Sequence, residues 1–406
     1  MSDARQGEGV ESDPDHAPEQ RLAVRLAILM LALSAANTGM SQRIAEPMLP
    51  RLAVEYSTSV PAVAIVVTAY ALASAMAQYV HGPLGDRYGA LRTVTLLTGL
   101  SGVASLGCAM AGSLEALTAW RFACGCFASG SMTLGMAYVA DVVPPERRQT
   151  VLARFLAGSV SGQTTGPLVG GMLTDFVGWR STFLLLGCIF MLVTGLLIAT
   201  THRQWTPGRA GHRPLLSPAP YLAILRTSRG RAVLLAVFTE MALFFGAYTF
   251  LGAWLKERFD LSYTLTGLIL AGFGLGGLAY SSSVRVLLRR FGQRGCVLIG
   301  GLLGGSLYLL ILIAPTWQWA VPCTMGMGFA FYTMHNTLQT RATELAPQAR
   351  ATALALFSMN WAGGQAIGAL VMSLGISVVG YAPMIATFAI AFMVFSLVLR
   401  AHLHRL

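Results

Sequence analysis

The sequence predicts an all-α membrane protein with twelve transmembrane helices arranged as two pseudo-symmetric six-helix bundles. Three observations carry that prediction. The 406 residues are 55% hydrophobic and only 11% charged, where a soluble domain carries roughly 25% charged residues. The apolar residues collect into runs of about 20, the length that crosses a bilayer. Finally, the two halves of the chain resemble each other. Forty-four glycines would be many for a soluble helical protein but suit membrane helices.

The elements follow in order. Residues 1–21 read as an acidic tail: within 1–20 Asp3, Glu8, Glu11, Asp13, Asp15 and Glu19 stand against Arg5, with no apolar core of a signal peptide. A disordered cytoplasmic segment is expected there. Hydropathy then places six helices within 22–200, at about 23–49, 60–82, 91–112, 114–138, 148–174 and 179–200. A polar linker at 201–231 carries His202, Arg203, Arg209, Arg213, Arg226, Arg229 and Arg231 among four prolines. Six more helices within 232–406 are expected at about 232–255, 264–288, 295–314, 317–338, 351–377 and 381–400.

Counting basic residues on alternate sides tests the assignment. Of 28 Lys and Arg, 22 fall on the side of the termini and the linker. Four fall on the other side (Arg51, Arg180, Lys256, Arg258), and Arg43 and Arg121 lie within spans. This asymmetry predicts a cell (inner) membrane protein with both termini cytoplasmic. It also spreads the net charge of +11 over many short loops. Nucleic-acid binding, which needs a concentrated basic surface, loses its support.

The internal similarity has an offset of about half the chain. Asp141-Val-Val-Pro144-Pro-Glu-Arg147 matches Glu344-Leu-Ala-Pro347-Gln-Ala-Arg350, and Arg87-Tyr88-Gly89 matches Arg290-Phe291-Gly292, at an offset of 203. Gly162-Gln163-Thr-Thr-Gly166-Pro-Leu168 matches Gly364-Gln365-Ala-Ile-Gly368-Ala-Leu370 at 202. Parallel repeats with a site between them are the architecture of an alternating-access transporter.

Several motifs carry chemistry. After the second helix the chain reads Gly82-Pro-Leu84-Gly-Asp86-Arg87-Tyr-Gly89-Ala-Leu-Arg92, a turn whose charges can latch neighbouring helices. This loop resembles the signature G-x-L-x-D-R-x-G of the major facilitator superfamily, with Ala90 where a basic residue is common. In the second copy Arg289 stands in place of Asp86. Gly162-x-x-x-Gly166-Pro167-x-x-Gly170-Gly171 looks like the antiporter motif of the twelve-helix drug:proton antiporters. Arg121-Phe-Ala-Cys-Gly125 resembles the R-x-x-x-G element of the same family, and Trp179-Arg180 with Phe183 is also similar. The resemblance spans residues 22–400. It implies export driven by a proton gradient without a cofactor, limitation of proton leak by the helix-five motif, and a part for Arg121 in proton coupling. For the helix-five glycines, packing alone is the competing reading.

Charges inside the spans are few. Glu240 lies in Val237-Phe-Thr-Glu240-Met-Ala-Leu, where a carboxyl must be protonated, paired or facing water. That chemistry suits a proton carrier or a substrate contact, although a neighbouring helix can satisfy the same group. The repeat places Asn37 of helix one at the equivalent position, which predicts polar groups facing the cavity from both bundles. Arg121 cannot lose its proton and needs a carboxylate, carbonyls, water or an anionic ligand. Arg43 and Glu46, three residues apart, are candidates for the cavity wall, an outer gate or simply a mutual ion pair. Gln163, Gln365 and Trp361 are further cavity candidates, with Asn360, His335, Asn336 and Tyr70 behind them.

The expected function is proton-coupled efflux of small amphipathic or cationic compounds by a monomer in a lipid bilayer. Export of one metabolite (a sugar, amino acid or siderophore) is the alternative, and a non-transporting receptor on the same fold is a weaker one. Enzymatic and metal chemistry have no motif to stand on. The six cysteines show no disulfide or zinc pattern, Cys124-Gly-Cys126 being one residue too close for a metal pair. His202, His212, His402 and His404 fall in loops or the tail.

Overall fold

The computed structural model describes residues 17–202, 205, 218–346 and 350–403. The acidic tail up to residue 16 and part of the linker, 203–204 and 206–217, lie outside the described residues. Among the described residues the structure is helical, with no strand.

In the first half α1 (Ala17–Arg43) is followed by a 3-10 turn at Glu46–Met48 and by α2 (Leu49–Glu55). The break falls where Pro47 and Pro50 remove backbone donors. Next come α3 (Val60–Val63), α4 (Ile65–Tyr88), α5 (Ala90–Ala109), α6 (Leu114–Ala128), α7 (Gly130–Val142), α8 (Pro145–Phe176) and α9 (Trp179–Thr201). A short helix, α10 (Ala219–Arg226), leads into α11 (Ser228–Phe259), α12 (Tyr263–Ile313), α13 (Ala320–Thr343), α14 (Arg350–Val379) and α15 (Tyr381–His402). The spans expected at 264–288 and 295–314 lie on either side of Gly292, whose non-helical backbone (φ 63°, ψ 178°) divides α12 into two helices. Nine helical segments among the described residues are long and apolar enough to cross a membrane.

The sequence repeat is also a backbone repeat. Among the described residues six have left-handed φ, and they form three pairs: Ser57 with Asp260, Gly89 with Gly292, and Gly178 with Gly380. The offsets are 203, 203 and 202, those of the sequence matches. Gly89 and Gly292 reverse the chain between consecutive helices at φ 86° and 63°, where a side chain would be strained.

Packing repeats in the same way. α1 lies along α8, and α11 along α14. A methyl group at Gly162 would strike the carbonyl oxygen of Ala36, and one at Gly364 would strike that of Phe238. Gly166 is likewise closed against Met40, and Gly368 against Ala242. Each of these four contacts maps onto its partner by the offset of 202. Small residues thus bring backbones together, the main packing device available where lipid is as apolar as the side chains.

The halves meet chiefly through α8 against α12 and α4 against α14. Asp175 at the end of α8 accepts hydrogen bonds from the backbone N–H groups of Tyr263 (3.1 Å) and Thr264 (2.6 Å) and from the Thr264 hydroxyl (2.6 Å). A carboxylate from one half therefore caps the N-terminus of a helix in the other. The Ser373 hydroxyl donates to the Pro61 carbonyl at 2.8 Å, and Gln42 Nε2 donates to Gln365 Oε1 at 3.0 Å. Gly171 and Gly267 face backbone of the opposite half, at Tyr263 and Pro167 respectively.

Candidate functional site

The charged side chains predicted within the spans fall into three buried clusters. The first holds Glu240, twelve residues into α11, and His335 of α13. Glu240 is wholly buried. Its Oε2 shares a 2.9 Å hydrogen bond with His335 Nδ1, while its Oε1 has no hydrogen-bond partner among the described residues. The His335 ring stacks on Phe331, with centroids 4.8 Å apart and planes 18° from parallel. Phe357 approaches the same ring at 5.4 Å. A carboxyl and an imidazole held in hydrogen-bond contact can pass one proton between them, and Oε1 keeps unused acceptor capacity.

The second cluster surrounds Arg121 of α6, also wholly buried. Nε donates to the Val66 carbonyl at 3.4 Å, and Nη1 donates to the Ser41 carbonyl at 3.0 Å. The guanidinium lies over Tyr70, 4.3 Å from the ring centroid. Of the partners expected for this cation, carbonyl oxygens are the ones present. Nη2 lacks a partner among the described residues.

The third cluster lies between the halves. Arg43 Nη1 donates to both oxygens of Glu46, at 2.9 and 3.3 Å, so the two residues do pair. Across the interface the guanidinium rests 3.9 Å from the centroid of Phe245.

The clusters remain separate. Arg121 and Glu240 do not pair with each other. Asn37, the repeat equivalent of Glu240, has its Nδ2 donating to the Leu186 carbonyl of α9 at 3.4 Å, within the first half. Of the two repeat-related glutamines, Gln365 reaches across to Gln42, while Gln163 is half-buried and makes no side-chain hydrogen bond among the described residues. Trp361 is half-buried and approaches Phe245 at 6.4 Å.

The helix-five motif presents two faces. Gly162, Gly166 and Gly170 close against α1, whereas Gly171 and the Pro167 carbonyl close against α12 of the other half. Pro167 sits inside the continuous α8. At the latch, Asp86 and Arg87 are exposed, and Gly82 has open space around it. Asp86 makes no ion pair among the described residues, and Arg87 lies 5.5 Å from the ring centroid of its neighbour Tyr88. Tyr221 of α10 packs at 4.8 Å from Tyr79. Burial, then Tyr79 and the Asp86 carboxylate, push the Tyr221 hydroxyl above its ordinary pKa. In the second copy Arg341 Nη2 donates to Gln293 at 2.7 Å, and Arg229 pairs with Glu344 at 3.1 Å.

Two features escape a reading of the sequence. His335 ranks there among the weaker candidates, and nothing in the sequence ties it to Glu240, 95 residues away. A buried acid that must find a partner is the one signal directing attention to it. The rings of Phe245, Tyr248 and Phe273 look like ordinary apolar positions until Arg43 is placed among them.

Comparison with known proteins agrees with this architecture. An MFS-type transporter of Bacillus subtilis (strain 168), YceJ, is 27% identical over 330 residues, covering 79% of this chain and 82% of its own. The efflux pump radE of Floropilus chiversii is 29% identical over 165 residues, 40% of this chain and 30% of the pump. Among solved structures, a peptide transporter POT in complex with sulfate superposes with a TM-score of 0.74 at 17% identity, covering 93% of this chain and 94% of the transporter. A mutant of the nucleoside transporter NupG gives 0.75 at 14% identity, covering 93% and 99%. The Major Facilitator Superfamily profile matches residues 31–369, five-sixths of the sequence. The protein is therefore a multi-pass membrane transporter rather than an enzyme, and the chain belongs to the Major Facilitator Superfamily.

Proposed function

We propose that the protein is a proton-coupled exporter of small amphipathic or cationic compounds, working by alternating access. The observation that carries this reading is the Glu240–His335 pair, a wholly buried carboxyl bonded to an imidazole with one oxygen left open. Protonation of the pair from outside would allow the halves to reorient, and release inward would reset it. The name of radE as an efflux pump supports the export direction, as does the helix-five motif.

The architecture that goes with this reading has twelve crossings. α12 counts as two, one on each side of Gly292, and α8 and α13 add two to the nine apolar segments. Residues 22–200 and 232–406 form the two bundles, joined by a linker at 201–231 that lies in the cytoplasm with both termini. The inter-half hydrogen bonds of Asp175, Gln365 and Pro61 then close the outer side, and exposed Asp86 belongs to an open inner side.

Glu240→Gln tests the mechanism in proteoliposomes. The amide keeps a polar contact with His335 but carries no exchangeable charge. Transport driven by a pH gradient should fall by about tenfold or more, equivalent to roughly 1.4 kcal/mol, while thermal unfolding stays close to that of the parent. Full gradient-driven activity in that variant removes Glu240 from the coupling.

A further inference from the structure

Arg43 occupies an unusual setting. Its guanidinium carbon lies 3.9 Å from the ring centroid of Phe245, 5.1 Å from Tyr248 and 5.5 Å from Phe273. All three rings come from α11 and α12 of the opposite half. On its own half the cation meets one carboxylate, Glu46, itself wholly buried. Tyr248 is fixed by its hydroxyl, which donates to the Leu270 carbonyl at 2.8 Å, and Phe244 and Phe331 pack behind Phe245 at 5.2 and 5.0 Å. The site is therefore a rigid aromatic wall facing a single negative charge.

That receptor fits its present occupant poorly. Arginine carries five N–H donors, and the wall of rings offers them no acceptor. Nη2 of Arg43 is buried without a hydrogen-bond partner among the described residues, in a residue that is only 2% exposed. A carboxylate flanked by ring faces suits a cation that spreads its charge over carbon and has no donor to satisfy, as aromatic cages do for quaternary ammonium groups. The site is also close to an entrance. An outer depression of about 570 Å³ is lined by Pro50, Ala53 and Val60 from one half and by Ala253, Lys256 and Asp260 from the other. Pro50 and Ala253 lie about one helical turn beyond Glu46 and Tyr248 along their chains.

We propose that Glu46 and the rings of Phe245, Tyr248 and Phe273 form a binding site for an organic cation without N–H donors, and that Arg43 is a tethered occupant which such a cargo displaces. This rests on the export reading and names its substrate class. Because guanidinium does not deprotonate, Arg43 leaves by swinging into the water of the outer depression as the halves part. The carboxylate is neutralised before and after the exchange, first by Arg43 and then by the cargo. Arg43 thereby closes the outer side when the transporter is empty and yields to the cation during release.

Equilibrium binding of tetraphenylphosphonium to the purified full-length protein, without any gradient, tests this. Arg43→Gln removes the internal competitor and should tighten the Kd by about tenfold, near 1.4 kcal/mol. Adding Glu46→Gln to that variant should cancel the gain. Phe245→Leu in the otherwise unchanged protein should weaken binding by a similar factor. An Arg43→Gln protein that unfolds at the parental temperature yet binds no tighter overturns the proposal. Should that variant not fold, an unchanged Kd in Phe245→Leu overturns it alone. Gradient-driven flux is measured separately. Flux that survives Glu240→Gln sinks the coupling reading and leaves the cation site standing, whereas loss of flux without the Arg43→Gln gain sinks the cation site alone.

Discussion

His335 sits in contact with Glu240 because neither can be buried alone at tolerable cost. Removing one member of a buried pair typically costs about 3–5 kcal/mol, since the other is left uncompensated. His335→Ala is therefore expected to lower thermal stability in detergent clearly, with Glu240→Gln/His335→Ala recovering part of the loss. A double variant no more stable than His335→Ala would falsify the pairing. Arg121 is held differently, by carbonyl oxygens from two other helices and by the face of Tyr70. A lysine has the charge but lacks the planar fork that reaches both oxygens while lying on the ring. Arg121→Lys should therefore reduce thermal stability, read as a drop in unfolding temperature, despite conserving charge. An unchanged unfolding temperature would mean that the cation is held by charge alone.

At the scale of elements, α8 separates two roles that its glycine motif joins in sequence. Gly162 packs against α1 within its own half, so Gly162→Val is an overpacking change. It should cost about 1–3 kcal/mol of stability and leave the balance between conformations alone. Gly171 packs against Tyr263 across the interface. Gly171→Val should instead push the halves apart at the outer side. Asp175 acts at the same interface, capping α12, and Asp175→Ala removes an anion from a helix N-terminus, an interaction of about 0.5–2 kcal/mol. Both changes should speed alkylation of a cysteine placed at Ser57, which lines the outer depression. Equal alkylation rates in parent, Gly171→Val and Asp175→Ala proteins would rule out the outer-closure role. The surface pair Arg229–Glu344, half-exposed on both sides, is worth little by comparison.

Across the whole molecule, the excess of arginine on one side of the spans predicts where the termini lie. A tag at either terminus should be reached by a membrane-impermeant reagent only from the cytoplasmic side, and labelling from outside in intact cells would overturn that orientation. The broad architecture is legible in the sequence because hydropathy, charge bias and repetition act through the chain's own order. A bilayer imposes helix on any apolar run of sufficient length, and the repeat seen at Gly89 and Gly292 reappears as paired left-handed backbone. Glu240 and Arg121 were likewise visible, since a charge in an apolar run is conspicuous wherever it lies. Their partners were not. Asn37, equivalent to Glu240 by the repeat, donates to Leu186 within its own half. The sequence alone determined the helical, apolar character of the chain, its internal repeat and the residues whose burial demands compensation. Only the tertiary structure decided which groups provide it, that His335 faces Glu240 and that three rings of one half enclose Arg43 of the other. Such contacts depend on how rotated helices meet across distant parts of the chain, and no local periodicity records that geometry.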